Sequence, residues 1–434
     1  MNNAEKMIEF LNRCHSVFHA TALLEDELKE AGFTQLFENE NWKLKSNTNY
    51  YVKRNDTSII GFKVPEIKNV QSLNIVASHS DSPTFKLKPL ADMVDEHYNR
   101  LNVETYGGGI LATWLDRPLS VAGRVIVRED GVLTSKLIDF DENMAMIPNV
   151  AIHQNRDINS GYKWNPQVDL IPMIGMEKGK DYLNRRIAEK LGIEVTDIIS
   201  FDLFLYNREK GFTWGENGEF ISAQRLDDLA CAYTSLQAFK KAESVNALNI
   251  CAVFDNEEVG SRTRQGMAST FLSDVIDRVF AAFKCSDSEI KAIMANSFMV
   301  SADNAHAAHP NHPELYDRDN RCYMNKGVVI KRHAAQSYVT DSVSEAVLKE
   351  MFARSETPYQ YFANRSDLRG GGTQASIASI HIAAMAVDIG LPQLAMHSCF
   401  ETAGSKDVDY MIDMLSEFYS CAVVLDNDKI RILK

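Results

Sequence analysis

The chain has 434 residues, of which 45% are hydrophobic and 24% charged, the proportions of an ordinary globular protein and not of a disordered one. At roughly 100–200 residues per domain, that length allows two or three domains, each able to bury a core. A net charge of −13 at pH 7 excludes a nucleic-acid binder, which needs a basic stripe, and favours solubility.

The seven cysteines, Cys14, Cys231, Cys251, Cys285, Cys322, Cys399 and Cys421, are scattered and odd in number. No Cys-x-x-Cys occurs, so reduced thiols are expected, with neither a disulfide frame nor a zinc ribbon. Met1–Lys6 lacks the basic and apolar regions of a signal peptide. No run reaches the ~18 apolar residues of a membrane helix. The expectation is a soluble, cytoplasmic protein with neither membrane nor nucleic acid as partner.

In chain order, Met7, Phe10, Leu11 and Cys14, then Leu23, Leu24, Leu28 and Ala31, recur at helical spacing. They predict a helical stretch over 4–32, broken near Ser16 to Thr21 and stopped at Gly32. Alternating runs between Tyr50 and Val64 predict antiparallel strands, and Leu73–Ala77 a buried strand. From Leu87 to Phe220 strands are short and turns frequent. Arg124–Val127, Asp130-Gly131 and Val132-Leu133 read as a hairpin, and Lys180–Leu191 as a helix.

Beyond Ser222 helices alternate with strands. Leu226 to Leu236 and Phe271 to Lys284 are predicted helices; Leu248 to Phe254 and Phe298 to Ser301 are predicted strands. Ser342 and Glu345 form a capping-box pattern. Thr373 to Ile389 reads as an apolar helix stopped by Gly390 and Pro392, and Gln393–Met396 as a strand. The expected fold is α/β, a three-layer sandwich on a mixed sheet, formed by 1–86 and 221–434, with a β-rich domain inserted at 87–220.

Metal-competent side chains collect where these strands end, which is where open α/β sheets build sites. One strand ends in His79 and Asp81, a second in Glu257 and Glu258, a third in Asp303 and a fourth in His397. Asp227 and Asp228 open a helix. Neighbouring residues leaving a strand point to opposite sides. One glutamate of the pair can therefore bind a metal while the other stays free to accept a proton. A ligating histidine hands its other ring nitrogen to an orienting group, and Asp81 is placed for that role beside His79. Two histidines with several carboxylates and no cysteine suit zinc, manganese or cobalt. The set exceeds what one ion needs, so two divalent ions fit better.

Taken singly, each residue has a plainer use: a structural histidine, helix-start charges for Asp227 and Asp228, a turn cap for Asp303. His306, His309 and His312 resemble a metal tract, but Pro310 and Pro313 argue against a regular helix, and a loop lining the site is the better reading. Gly107–Gly109 and Gly370–Gly372 are not phosphate loops; they permit close backbone approach, and the second could place N–H donors at the start of the next helix.

Five segments, Ala77–Pro83, Gln224–Asp228, Asp255–Ser261, Ser301–His306 and Pro392–Ser398, together resemble the aspartyl aminopeptidase family, in its order and across most of the chain. The resemblance implies a two-zinc aminopeptidase, a hydrolase removing the N-terminal residue of peptides. It implies that Asp227 bridges the ions, with His79 and Asp303 completing one site and Glu258 and His397 the other. Glu257 would be the general base and Asp81 the orienting group. The insertion would be a dimerisation domain within a homododecamer of dimers. Pro148–His153 resembles a stretch whose histidine, here His153, enters a neighbouring subunit's site. An acidic N-terminal residue, Asp or Glu, is the implied substrate, with Lys331 as the cation facing it. Lys331–Tyr338 and Gly370–Gln374 depart from the family pattern, where the substrate side chain is expected. The rival readings are a broad neutral aminopeptidase, another two-metal amidase, and a non-catalytic oligomeric scaffold.

Overall fold

The computed structural model describes residues 1–176, 181–243, 246–368 and 370–434. A nine-stranded mixed sheet runs in the order Thr34–Leu36, Thr48–Arg54, Ser58–Val64, Ala247–Phe254, Ser72–His79, Phe298–Ala302, Met385–Gly390, Val328–Lys331, Tyr359–Phe362. Its middle four strands are parallel, and an antiparallel strand flanks them on each side.

Side-chain alternation along these strands builds two cores. From Ser72–His79, Leu73, Ile75 and Ala77 pack with Phe271, Ile276 and Phe280 of the helix Phe271–Ala282. Val76 faces the other way, toward Leu229 of Leu226–Lys241 and Met411 and Leu415 of Ser405–Ser420. This is a helix–sheet–helix sandwich, and both sheet faces are dry, as parallel strands require.

A second, antiparallel sheet of six strands runs in the order Val132–Asp139, Leu119–Glu129, Ile198–Asn207, Thr84–Val94, Asn99–Tyr106, Met173–Gly175. It has its own core, including Val121, Val125, Leu203 and Ile187. The hairpin turn sits at Asp130-Gly131, both at positive φ, as a two-residue turn between twisted strands demands. Phe212–Trp214 and Phe220–Ala223 belong to a third sheet with Pro392–Leu394 and Glu401–Gly404.

Some expectations need correction. Thr373 to Ile389 is not one helix: only Gln374–Ala378 is helical, and Met385–Gly390 is a central strand paired with Phe298–Ala302. An apolar run buried on both faces carries no period that separates helix from strand. The N-cap of Ser342–Arg354 is Asp341, whose carboxylate accepts from Val343 and Ser344 N–H. The break between the first two helices comes earlier than expected, between Leu11 and Val17. A helix at Asp287–Asn296, with a Ser286/Glu289 capping box, was not anticipated. The expected helix at Lys180–Leu191 is seen from Tyr182; Lys180 lies outside the described residues. Among the described residues, no helix is long and apolar enough to cross a membrane.

Candidate active site

Parallel pairing puts Phe254 opposite His79 and Ser301 opposite Ala77, so three neighbouring strands end on one edge. Beyond that edge stand His79, the Glu257–Glu258 turn and Asp303. Asp227 and Asp228 are joined by a cis peptide, and both lie outside helical φ/ψ, so the regular helix begins after them. Gly390 borders the site for a packing reason: a Cβ there would lie 2.1 Å from the Asp303 carbonyl oxygen.

Asp227 is the centre of the arrangement. His79 Nε2 lies 3.5 Å from its Oδ1, and His397 Nε2 lies 3.4 Å from its Oδ2 and 3.4 Å from Glu258 Oε1. Ligand atoms of His79, Asp227 and Asp303 fall within 4.8 Å of one another, and so do those of Asp227, Glu258 and His397. His79, Glu257 and Glu258 form a third such group.

The donor set fits divalent cations. Asp227 Oδ1 and Glu258 Oε1 are buried and lack a hydrogen-bond partner, a costly state for carboxylate oxygens unless something positive binds them. Burial, then Asp227, pushes the Glu258 carboxyl well above its usual range. Burial pushes Asp227 upward too, but His397 and His79 more than offset it and hold it below the usual range. A carboxylate-rich pocket that raises its own acids is one that added positive charge would relax.

Both histidines are fixed in orientation. His79 Nδ1 donates to the Asp81 main-chain oxygen at 3.0 Å, and His397 Nδ1 to the Gly108 main-chain oxygen at 3.0 Å. A carbonyl only accepts, so each Nδ1 carries a proton, and each Nε2 is the nitrogen turned toward the cluster. The Asp81 carboxylate therefore has a wider role than the sequence suggested. It stands 3.4 Å from His79 Nδ1 but accepts from Glu257 N–H at 3.1 Å, Glu258 N–H at 3.2 Å and the Tyr106 hydroxyl at 2.7 Å.

Sequence reasoning missed Glu401, which is buried and accepts from Asp227 N–H at 3.0 Å and His397 N–H at 2.7 Å. It thereby ties together the backbones of residues from both clusters. His397 itself sits at φ 69°, a left-handed conformation that costs a non-glycine residue on the order of 1 kcal/mol and must be held by its surroundings. Asp228 turns away from the cluster, and its Oδ2 accepts from His79 N–H at 3.1 Å. Adjacent aspartates and a glutamate four residues past His397 were the only available signals.

Among the described residues the Glu257 carboxylate makes no hydrogen bond or ion pair, although it lies within reach of His79 and Glu258. Burial lifts it to about 7, with His79 opposing and Asp303 and Asp81 reinforcing. That suits a group that accepts a proton near neutral pH.

Lys331 is buried, its Nζ 3.8 Å from Asp303 Oδ1 and 5.4 Å from the centre of the Tyr338 ring. Arg332 points the other way, to Glu345 at 3.1 Å. His153 is exposed on the loop between Val132–Asp139 and Met173–Gly175, and is not among the side chains that form the three groups. The three loop histidines do not converge: His306 packs edge-on to Phe362, while His309 lies over His312, which pairs with Glu314.

The family described as "Aminopeptidase I zinc metalloprotease (M18)" matches residues 10–419. The chain is 46% identical to a probable M18 family aminopeptidase 2 of Clostridium acetobutylicum, over 96% of this chain and 98% of that one. It is similar to a structure described as the Ape4 and Nbr1 complex, with TM-score 0.92 and 34% identity, over 96% of this chain and 85% of the other. It is also similar to a structure described as the mApe1 dodecamer, with TM-score 0.84 and 28% identity, over 96% of each chain. Two of the three groups that could hold a metal share Asp227, and the chain belongs to the M18 family of zinc aminopeptidases and is a metal-dependent aminopeptidase.

Proposed function

We propose that the chain is a two-metal aminopeptidase that removes an acidic residue, Asp or Glu, from the N-terminus of peptides. The observation that carries this reading is the sharing of Asp227 by two clusters, with the Glu257 carboxylate beside them, within reach of His79 and Glu258. In it, His79, Asp227 and Asp303 hold one ion, and Asp227, Glu258 and His397 the other. Zinc is the expected metal, and cobalt or manganese suits the same donors. When bound, the ions supply charge that polarises the scissile carbonyl and makes the attacking water more acidic.

The chain's own residues do the rest. Glu257 takes the proton from the attacking water and returns it to the leaving amine. Asp81 holds Glu257 and Glu258 by their main-chain N–H groups, so base and ligand keep a fixed separation. Lys331 supplies the buried cation for the substrate carboxylate. Its approach to Asp303 favours a second reading, a broad neutral aminopeptidase, because part of that charge is already matched within the protein.

The unit 87–220 is the proposed dimerisation domain of a homododecamer, supported by the likeness to the mApe1 dodecamer. There His153 would enter a neighbouring subunit's site and stabilise the oxyanion. Its exposure fits that role. Seven free cysteines, six of them buried, fit a cytoplasmic location.

The test is turnover on a panel of aminoacyl-p-nitroanilides and dipeptides with added zinc, cobalt or manganese. The reading expects Asp and Glu substrates to exceed Leu and Ala substrates. A preference for Leu or Met overturns the acidic assignment, and no turnover with any metal overturns the whole reading.

A further inference from the structure

The segment that follows the strand Asn99–Tyr106 of the second sheet does more than connect. The Tyr106 hydroxyl donates to Asp81 Oδ2 at 2.7 Å and accepts from Asn256 Nδ2 at 2.8 Å. Gly107, at φ 71°, passes so close that a Cβ there would lie 3.1 Å from Glu258 Cβ. The Gly108 main-chain oxygen fixes His397 Nδ1 at 3.0 Å, and Ile110 N–H donates to the His397 main-chain oxygen at 2.9 Å. Thr113 Oγ1 then accepts from Cys399 N–H at 3.0 Å.

One strap of eight residues therefore grips the orienting carboxylate Asp81, brushes Glu258, and holds both ring and backbone of His397. It does so from a sheet with a separate core. His397 needs such holding, because its left-handed backbone has no glycine freedom to sustain it. The Tyr106 ring in turn packs edge-on against Phe204, at 5.8 Å, on the strand Ile198–Asn207.

We propose that the strap Tyr106–Thr113, which leaves the second sheet, is a positioning element of the Asp227–Glu258–His397 cluster, so that the metal affinity of that cluster depends on the strap's own contacts. Tyr106, Gly107 and Gly108 are positioning residues. The inference rests on the reading of that cluster as a metal site.

The test is cobalt titration of the full chain with the visible absorption band and chelator competition as readouts, thermal unfolding being followed in parallel. Tyr106→Phe removes only the hydroxyl, and Gly107→Ala pushes a methyl toward Glu258. Both are expected to weaken one of the two ions about 10–100-fold and to shift the band, the usual effect of removing a group that orients a ligand. Val125→Ala, in the core of the same sheet, serves as a stability control: it should lower Tm but leave cobalt affinity and band unchanged. Should Gly107→Ala fail to fold, Tyr106→Phe alone decides. Wild-type cobalt binding by Tyr106→Phe overturns the strap's role, and so does an equal effect from Val125→Ala. A wild-type chain that takes up no cobalt overturns the metal-site reading itself, and the strap's role with it.

Discussion

Lys331 and Asp303 are locked together in the interior: Nζ lies 3.8 Å from Oδ1, and Lys331 is 3% exposed. Burial alone lowers a lysine's pKa, but Asp303, Tyr338 and Asp388 reverse that and hold the ammonium charged. One cation thus faces a cluster carboxylate on one side and is the proposed contact for a substrate carboxylate on the other.

Lys331→Met is expected to lower kcat/KM for Asp and Glu substrates at least 100-fold and to change Leu and Ala substrates less than tenfold, because the acidic side chain loses the buried counter-charge proposed for it. Bound metal is measured in the same samples, since Asp303 loses its partner as well. Equal losses on every substrate would place Lys331 in support of Asp303 alone.

Glu257→Gln should keep its metals and lose about 10²–10⁴-fold in kcat, because an amide cannot accept the proton. Metal content by elemental analysis and steady-state rates check this. Near-native turnover in a metal-loaded variant would transfer the role of base to another group.

His79→Ala and His397→Ala are each expected to reduce bound metal below two ions per chain and abolish hydrolysis. Chelation of the wild type should lower Tm, and restoring zinc at 100 times its Kd should raise stability by about 2.7 kcal/mol per site. Two ions retained in both variants would contradict the ligand set.

Mixing His153→Ala with Glu257→Gln subunits, after dissociation and reassembly, should restore activity in hybrids if His153 acts across a subunit boundary. Hybrids that form, shown by mass, yet stay inactive would confine the site to one chain.

Acid stability should report on His19, which bonds Ser16 at the start of the helix Val17–Glu30. Burial lowers its pKa to about 4, with Asp139 opposing. The folded state therefore prefers neutral imidazole, whereas the unfolded chain protonates near 6.5. Stability is full above 6.5 and falls as pH drops toward 4, by up to about 3 kcal/mol from this one group. Denaturant unfolding of His19→Gln should show a shallower loss over pH 6.5–4. An unchanged slope would assign the acid loss to other groups.

Much of the cluster could be read directly from the sequence. His79, Glu257, Glu258 and Asp303 each follow a short apolar run, of the roughly four to eight residues typical of an inner strand and too short for an ordinary helix. Strand ends of such sheets share an edge, so naming the strands already named the neighbourhood. The run before Gly390 misled, since continuous burial erases the difference between a period of two and one of 3.6.

What the sequence by itself determined was the set of ligand types, their order and the α/β frame that gathers them. Tertiary structure alone decided that Glu401 joins the backbones of Asp227 and His397, that Asp81 holds the glutamates more closely than it holds a histidine, and that Lys331 is matched by Asp303. It alone decided, too, that Tyr106 and Gly108 reach in from another sheet. The physical reason is the same in each case. These contacts use main-chain N–H and C=O groups, which every residue carries, or join positions far apart in the chain, and neither leaves a local pattern of side chains to read.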